Sequence, residues 1–232
     1  MNQSPLILFD LDGTLVESAP DLVDALNATL ALEGAGPLPE SRVRSLLGAG
    51  ARALIERGLK TVGREATPAR MEELFCAFIA HYSAHIADRS HVFPGVEAAL
   101  DRLESAGCRL AVATNKLESL SVPLLTQLGL AGRFAAICGQ DTFRDAEGRN
   151  IPKPDRRMLL ETIARVGGDP ACAIMVGDSR TDVDAARNSG VPVIGVTFGY
   201  TDDPIETFSP DVVISHFDQL WDAVRRLSPG LA

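Results

Sequence analysis

No run of the sequence reaches the roughly 18 consecutive apolar residues that a membrane-spanning helix needs, so none is expected. A basic leader is missing too. The apolar stretch Leu6-Ile7-Leu8-Phe9 has no cation before it and stops at Asp10, which is not the pattern of a signal peptide. Cations are scarce, with 22 Lys and Arg against 31 Asp and Glu and a net charge of −9. A nucleic-acid binder needs a basic stripe to displace counterions, so no nucleic-acid partner is expected, and no membrane partner either. Only four cysteines occur (Cys76, Cys108, Cys138, Cys172), and none forms a C-x-x-C pair. That usage predicts buried, reduced thiols in a cytoplasmic protein. Internal repeats and low-complexity segments are absent as well.

What is present is the material of an ordinary globular protein. The 232 residues are 46% apolar and 23% charged, with 20 Gly and 14 Pro. At roughly 150 residues per domain, this length holds one large domain or a domain with a smaller insert. A chain of this size buries about 70% of its unfolded surface and needs no disulfide or metal to hold a core. Charge is unevenly spread. Asp10, Asp12, Glu17, Asp21, Asp24, Glu33 and Glu40 fall in the first 40 residues without a single Lys or Arg. Residues 41–70 reverse this, with seven cations against Glu56 and Glu65. Such runs usually mark a solvated helix face.

The hydrophobic periodicity changes character twice. Leu6 to Phe9 is too short for a helix and precedes the turn signal Asp12-Gly13, which predicts a fully buried strand. From Ser18 to residue 91 the pattern is helical. Ser18 is an expected N-cap before Pro20, Leu22, Leu26 and Leu30 recur at helical spacing until Gly34, and Met71, Phe75, Phe78, Tyr82 and Ile86 mark one face of a helix over 68–86. Past Phe93-Pro94-Gly95, helices expected at 95–106, 117–129, 156–166, 181–189 and 216–227 alternate with strands. The strands are expected at Arg109–Ala113, Phe134–Ile137, Ala171–Val176, Pro192–Val196 and Asp211–Ile214. That alternation predicts an α/β fold, a Rossmann-like parallel sheet with helices on both faces. The first strand lacks its own crossover, so the reading is a core of 1–16 and 92–232 with a helical insert at 17–91.

Three strand ends carry the chemistry. Asp10-Leu11-Asp12-Gly13-Thr14 follows the first strand, Thr114-Asn115 the second, and Gly177-Asp178-Ser179-Arg180-Thr181-Asp182 the strand ending at Val176. Ligands of open parallel sheets bind beyond the carboxyl ends of strands where the winding reverses, so a central first strand brings all three loops together. Lys153, ahead of a helix, adds a cation to the same crevice. Asp10, Asp12, Asp178 and Asp182 repel one another unless something positive sits among them. An oxygen-rich site of this kind suits Mg²⁺, which keeps several waters and binds alongside phosphate. Lys153 and the Thr114 hydroxyl can serve phosphate oxygens. Of two carboxylates one residue apart, one can act as nucleophile through an acyl phosphate and the other as acid and then base.

Phe9-Asp10-Leu11-Asp12-Gly13-Thr14-Leu15, the strand-end Thr114, Lys153-Pro154 and Gly177-Asp178-(x)3-Asp182 together resemble the four motifs of the haloacid dehalogenase superfamily. The helical block after the first motif resembles that superfamily's small helical cap. The resemblance implies Asp10 as nucleophile and Asp12 as acid/base, with Thr114 and Lys153 on the transferring phosphoryl group. It also implies that Asp10, the Asp12 backbone carbonyl and Asp178 hold Mg²⁺, with Asp182 supporting the metal through water or Lys153. Within the superfamily, Leu15 to Leu22, Phe93 to Val96, Ala113-Thr114-Asn115-Lys116, Val176 to Asp182 and the tail from Gly195 to Tyr200 resemble the phosphoglycolate phosphatases. The sequence departs from them in a long loop 141–151, where Asp145 to Asn150 look inserted, and in Asp155-Arg156-Arg157 after Lys153-Pro154.

A small phosphorylated metabolite is thus the expected partner, with Asn115 joining Thr114 and Lys153 at the substrate. Gly48-Ala49-Gly50-Ala51-Arg52 is the expected loop entering the site, with Arg52 meeting a substrate carboxylate. A homodimer is compatible with the sequence. Three other readings stay open: a sugar-phosphate mutase or a phosphatase for sugar phosphates or nucleotides, a dehalogenase, which has no use for Mg²⁺ or Asp12, and a phospho-accepting receiver module, which needs neither the helical block nor Asp12. The Gly48-x-Gly-x-x-Ala53 run lacks the preceding strand of a dinucleotide fingerprint, and His81 and His85 lack a third ligand, so both are set aside as structural.

Overall fold

The computed structural model describes residues 4–201 and 203–228, so the outermost residues of the expected core segments (1–3 and 229–232) lie outside it. Four consecutive apolar residues build β1 (Leu6–Phe9), and each face of that strand is buried. Ile7 and Phe9 join one hydrophobic cluster while Leu6 and Leu8 join another, as the two-residue period of a strand dictates when both faces are covered. Around it lie β4 (Arg109–Ala113), β5 (Ala136–Cys138), β6 (Ala173–Gly177), β7 (Val193–Val196) and β8 (Val212–Ile214), in the order β5-β4-β1-β6-β7-β8 and parallel throughout. The α/β architecture expected from the sequence is therefore present.

Apolar stripes place the helices. From α5 (Val96–Ser105), α6 (Glu118–Gln127) and α9 (Leu220–Leu227), residues Val96, Leu100, Leu103, Leu120, Leu124 and Val224 pack on the Ile7–Phe9 face. From α7 (Arg156–Arg165) and α8 (Arg180–Ser189), Met158, Leu159, Ile163, Val183 and Ala186 pack on the Leu6–Leu8 face. Trp221 is half-buried beside this layer, with the Arg102 guanidinium 5.0 Å from its ring centre. In the loop 141–151, Arg144 and Asn150 form an antiparallel bridge, and the Asp145 carboxylate closes the tip by accepting the amides of Glu147 and Arg149.

Between the first and second sheet strands stand α1 (Ala19–Ala31), α2 (Glu40–Arg44), α3 (Ala51–Thr61) and α4 (Pro68–Ala84). A short antiparallel ribbon, β2 (Val16–Glu17) with β3 (His91–Val92), carries the chain out and back. Two residues per strand leave no periodicity to read, so this ribbon is invisible in the sequence. Buried Asp21, in the first turn of α1, ties the return path to the outgoing one by accepting the amides of Arg89 and Ser90 and the Ser90 hydroxyl. Ser18 precedes α1, as expected, but its hydroxyl caps nothing: it donates to Asp12 at 2.6 Å. The helix also ends at Ala31, short of Gly34. Two of the four free cysteines, Cys108 and Cys138, are buried; Cys76 is exposed and Cys172 half-buried, which corrects the expectation of four buried thiols. None of the described helices is long and apolar enough to cross a membrane.

Candidate active site

Because β1 is central, its carboxyl end lies between those of β4 and β6, and Asp10, Thr114 and Asp178 emerge side by side from the three strands. Asp10 continues the ladder, donating its amide to the Val176 carbonyl at 2.9 Å. Its carboxylate Oδ1 accepts from the Leu11 amide at 2.7 Å and faces the Lys153 ammonium at 2.9 Å. Both of these contacts fall on Oδ1, so Oδ2 remains for the crevice that Asp10 lines.

Lys153 is 2% exposed and lies between two carboxylates, Asp10 and Asp182, the latter at 2.6 Å from its Nζ. Burial alone lowers a lysine's pKa, but Asp10 and Asp182 outweigh it and push the ammonium up to about 12. The backbone at Lys153 is held by Asn115, whose side-chain amide accepts its N–H at 2.8 Å and donates to its carbonyl at 3.1 Å. Asn115 lines the crevice, yet its amide is spent on placing Lys153. Asp182, in the first turn of α8, uses Oδ1 for Lys153 and Oδ2 for the Ser179 amide and hydroxyl, so its role is to hold the lysine and the loop.

Asp178 accepts the Tyr200 amide on Oδ2 at 2.7 Å and the Thr14 hydroxyl on Oδ1 at 3.4 Å. Backbone presses on it from two sides. A Cβ at Gly13, where φ is +83°, would meet Asp178 Oδ2, and one at Gly199 would collide with the same side chain. Asp10, Asp178 and Asp182 each offer an oxygen, and these lie within 4.8 Å of one another, all buried. Burial, and then mutual repulsion with Asp182, outweigh Lys153 and raise Asp10 to about 6. Asp178 is pushed well above the carboxylate range by burial and by Asp182 and Asp10. Three carboxylates against one ammonium leave uncompensated negative charge, and the all-oxygen donor set fits a hard divalent cation.

Asp12 lies apart from that cluster. Its carboxylate takes the Ser18 hydroxyl and, through both oxygens at 3.1 Å, the Lys116 ammonium. Its side chain is therefore not among the clustered metal-binding groups, which corrects any reading of the Asp12 carboxylate as a ligand. Lys116 also donates to the Tyr82 hydroxyl at 2.8 Å, and its Nζ sits 4.3 Å from that ring centre. Burial, then Asp12 and Asp21, hold the Tyr82 phenol far above its ordinary pKa, so it stays neutral. The Thr114 hydroxyl accepts only the Lys116 amide, at 3.2 Å, which leaves its proton for a ligand.

Asp10, Asp12, Thr114, Asn115 and Lys116 line a crevice closed by Leu22, Leu47, Leu54, Phe78 and Leu120. Gly48, Gly50 and Ala51 of the expected entering loop line it, and a Cβ on Gly50 would stand 3.1 Å from the Asn115 carbonyl. Arg52 does not line it. That guanidinium is paired with Glu72 at 2.8 Å and lies over Phe75, its side chain 44% exposed, so the expected contact with substrate is not what the structure presents. The His81 and His85 rings lie 4.8 Å apart, tilted by 38°, without a third ligand, and His81 is half-buried with its Nδ1 unpartnered. The sequence puts Tyr82 on an apolar helix face and Lys116 and Tyr200 in resembling segments, but assigns none of them a place in the site. A lysine directly after Thr114-Asn115 was a signal, since a cation there has to find a counter-charge in the crevice.

An unpartnered oxygen of Asp10, a fixed ammonium, a hydroxyl donor and a second carboxylate across the crevice can together accept a tetrahedral anion, attack it and move a proton. A family model described as haloacid dehalogenase-like hydrolase matches residues 7–196. A phosphoglycolate phosphatase of Agrobacterium fabrum is 48% identical over 231 residues, covering 99% of this chain and 97% of its own. Among solved structures, a predicted phosphoglycolate phosphatase from Haemophilus somnus superposes with a TM-score of 0.87 at 30% identity, over 96% of this chain and 99% of that one. CbbY from Rhodobacter sphaeroides, solved in complex with phosphate, gives 0.78 at 25% identity over 94% and 96%.

Proposed function

The chain belongs to the haloacid dehalogenase-like hydrolases, and on that premise we propose that it is a Mg²⁺-dependent phosphomonoester hydrolase that converts 2-phosphoglycolate to glycolate. The observation that carries the chemistry is the free Oδ2 of Asp10 above a buried ammonium and beside two further carboxylates. The substrate rests on the 48% identity, over nearly the full length, to a phosphoglycolate phosphatase. The four free thiols and the absence of a membrane-length helix among the described residues support a cytoplasmic setting.

Asp10 and Asp178, with the Asp12 backbone carbonyl, would hold Mg²⁺, and Asp182 would act on that site through Lys153. Bound there, the ion neutralises the phosphoryl oxygens and the carboxylates together. Lys153 and the Thr114 hydroxyl orient the phosphoryl group. Asp10 Oδ2 attacks phosphorus while the bond from phosphorus to the glycolate oxygen breaks, and Asp12 delivers its proton to that oxygen. Asp12, now a carboxylate, then takes a proton from water as the water oxygen attacks phosphorus. The acyl–phosphate bond breaks, phosphate leaves, and both carboxylates return to their starting states. Residues 17–91 would form the cap that shields this sequence from bulk water, on a core of 1–16 and 92–232.

Phosphate release from 2-phosphoglycolate, sugar phosphates, nucleotides and an aryl phosphate, each with Mg²⁺ and with chelator, tests the proposal. The expected result is highest kcat/KM on 2-phosphoglycolate, abolished by chelator. Equal rates across the panel overturn the substrate, and metal-independent release overturns the mechanism.

A further inference from the structure

The reaction requires the leaving oxygen of the substrate to sit at Asp12, since that carboxylate supplies its proton. In 2-phosphoglycolate the carboxylate carbon is two covalent bonds from that oxygen, so the second charge of the substrate falls beside Asp12. Once that proton is given up, Asp12 and the substrate carboxylate are two anions side by side in a crevice walled by Leu22, Leu54, Phe78 and Leu120, and they repel each other unless a cation lies between them. One cation occupies that place. Lys116 is 4% exposed at its side chain, 3.1 Å from both Asp12 oxygens, and tethered to the Tyr82 hydroxyl at 2.8 Å. Among the described residues that line this crevice it is the only Lys or Arg.

The other nearby cations do not line this crevice, and each is held elsewhere. Arg44 is paired with Glu17 and Glu40, and Arg52 with Glu72. Arg57 donates to the carbonyls of Leu46 and Leu47. Much of the remaining wall is apolar, and among the described residues it carries no second Lys or Arg for another phosphate.

Resting on the phosphoglycolate reading above, we propose that Lys116, anchored by Tyr82, is the specificity-determining residue of this enzyme, a subsite for the carboxylate of a short phosphorylated acid. The ammonium stands between Asp12 and the substrate carboxylate and bridges the two. Tyr82 holds the flexible lysine stem in place, so the subsite exists before the substrate arrives.

The test compares kcat/KM for three phosphomonoesters built on the same two-carbon chain: 2-phosphoglycolate, ethyl phosphate and 2-aminoethyl phosphate. In Lys116→Met the ratio of 2-phosphoglycolate to ethyl phosphate is expected to fall by about 10- to 150-fold, the span of one charge-assisted hydrogen bond, chiefly through KM. The cationic 2-aminoethyl phosphate is expected to improve relative to ethyl phosphate, and Lys116→Arg to keep most of the preference. Tyr82→Phe retains the ring and its packing and lowers the ratio several-fold, which keeps the test open if Lys116→Met does not fold. Equal losses on all three esters would mean that Lys116 acts only by holding Asp12, and would overturn the subsite while leaving the substrate reading intact. A wild-type enzyme with no preference for 2-phosphoglycolate over ethyl phosphate overturns the substrate reading itself.

Discussion

Asp10 illustrates what a reactive group costs its own fold. Burial and Asp182 raise it from an ordinary 3.8 to about 6, so in the metal-free protein its contribution to stability is complete below pH 3.8 and is lost as pH rises through 6. The full displacement corresponds to about 3 kcal/mol, at about 1.4 kcal/mol per tenfold. Asp10→Asn is therefore expected to abolish turnover and, in chelator, to unfold at higher temperature than wild type at pH 8 but not at pH 4. Thermal unfolding at the two pH values checks both the sign and the window. Arg52 makes the opposite case. Its charge is spent on Glu72 at an exposed surface, where an ion pair is worth little. Arg52→Ala is expected to change KM for 2-phosphoglycolate less than twofold in steady-state kinetics. The sequence placed Arg52 close to the crevice along the chain, but spacing alone does not say which side of a helix finds an acidic neighbour first.

At the scale of elements, two glycines decide whether Asp178 can be where it is. Tyr200 delivers its amide to Asp178 only because Gly199 allows backbone to pass in contact with that carboxylate. Gly199→Ala is expected to displace Asp178 and weaken Mg²⁺ binding at least about tenfold, in line with loss of an outer-shell partner, measured by calorimetric titration. The sheet, formed by pairings elsewhere, should persist in circular dichroism. Much of this level was legible beforehand. Arg109–Ala113 is a strand to the residue, because a run of four buried apolar residues after Arg109, between the Gly107 turn and Thr114, is too short for a helix. The expected strand from Ala171 starts at Ala173, since Asp169 accepts the Ala171 amide and winds 170–172 into a 3₁₀ turn. Likewise the last helix begins at Leu220 rather than 216, after a short turn capped by His216. Local side-chain capping, which periodicity does not register, moved both boundaries. Asp10, Thr114, Lys153 and Asp178 could be grouped from their places at strand ends. Lys116 and Tyr82 could not, because the contact joins a core loop to α4 across 34 positions and no local pattern encodes it.

At the scale of the molecule, the helical block meets the sheet through a small polar junction. The Tyr200 hydroxyl accepts the amides of Ser18 and Ala19 at 2.7 and 3.0 Å and donates to Glu17 at 2.9 Å. Arg44, from α2, completes the junction by gripping Glu17 with both guanidinium nitrogens and lying over the Tyr200 ring. The same tyrosine holds Asp178 by its backbone, so the ribbon and the carboxylate cluster share one residue. Tyr200→Phe leaves the buried Ser18 amide without its acceptor and is expected to lower stability by about 1–3 kcal/mol, read from urea unfolding. The same variant should raise KM, because the two parts that enclose the substrate lose their common anchor.

The central place of β1 also fixes when the protein can become active. Its neighbours in the sheet are residues 109–112 and 173–176, so this strand is flanked by strands made much later. Pairings of such long sequence separation form slowly and only after both partners exist. A nascent chain therefore carries Asp10 unarmed until residue 178 has emerged, and no fragment ending before β6 should hydrolyse anything. Activity in this architecture is a certificate that synthesis has passed β6.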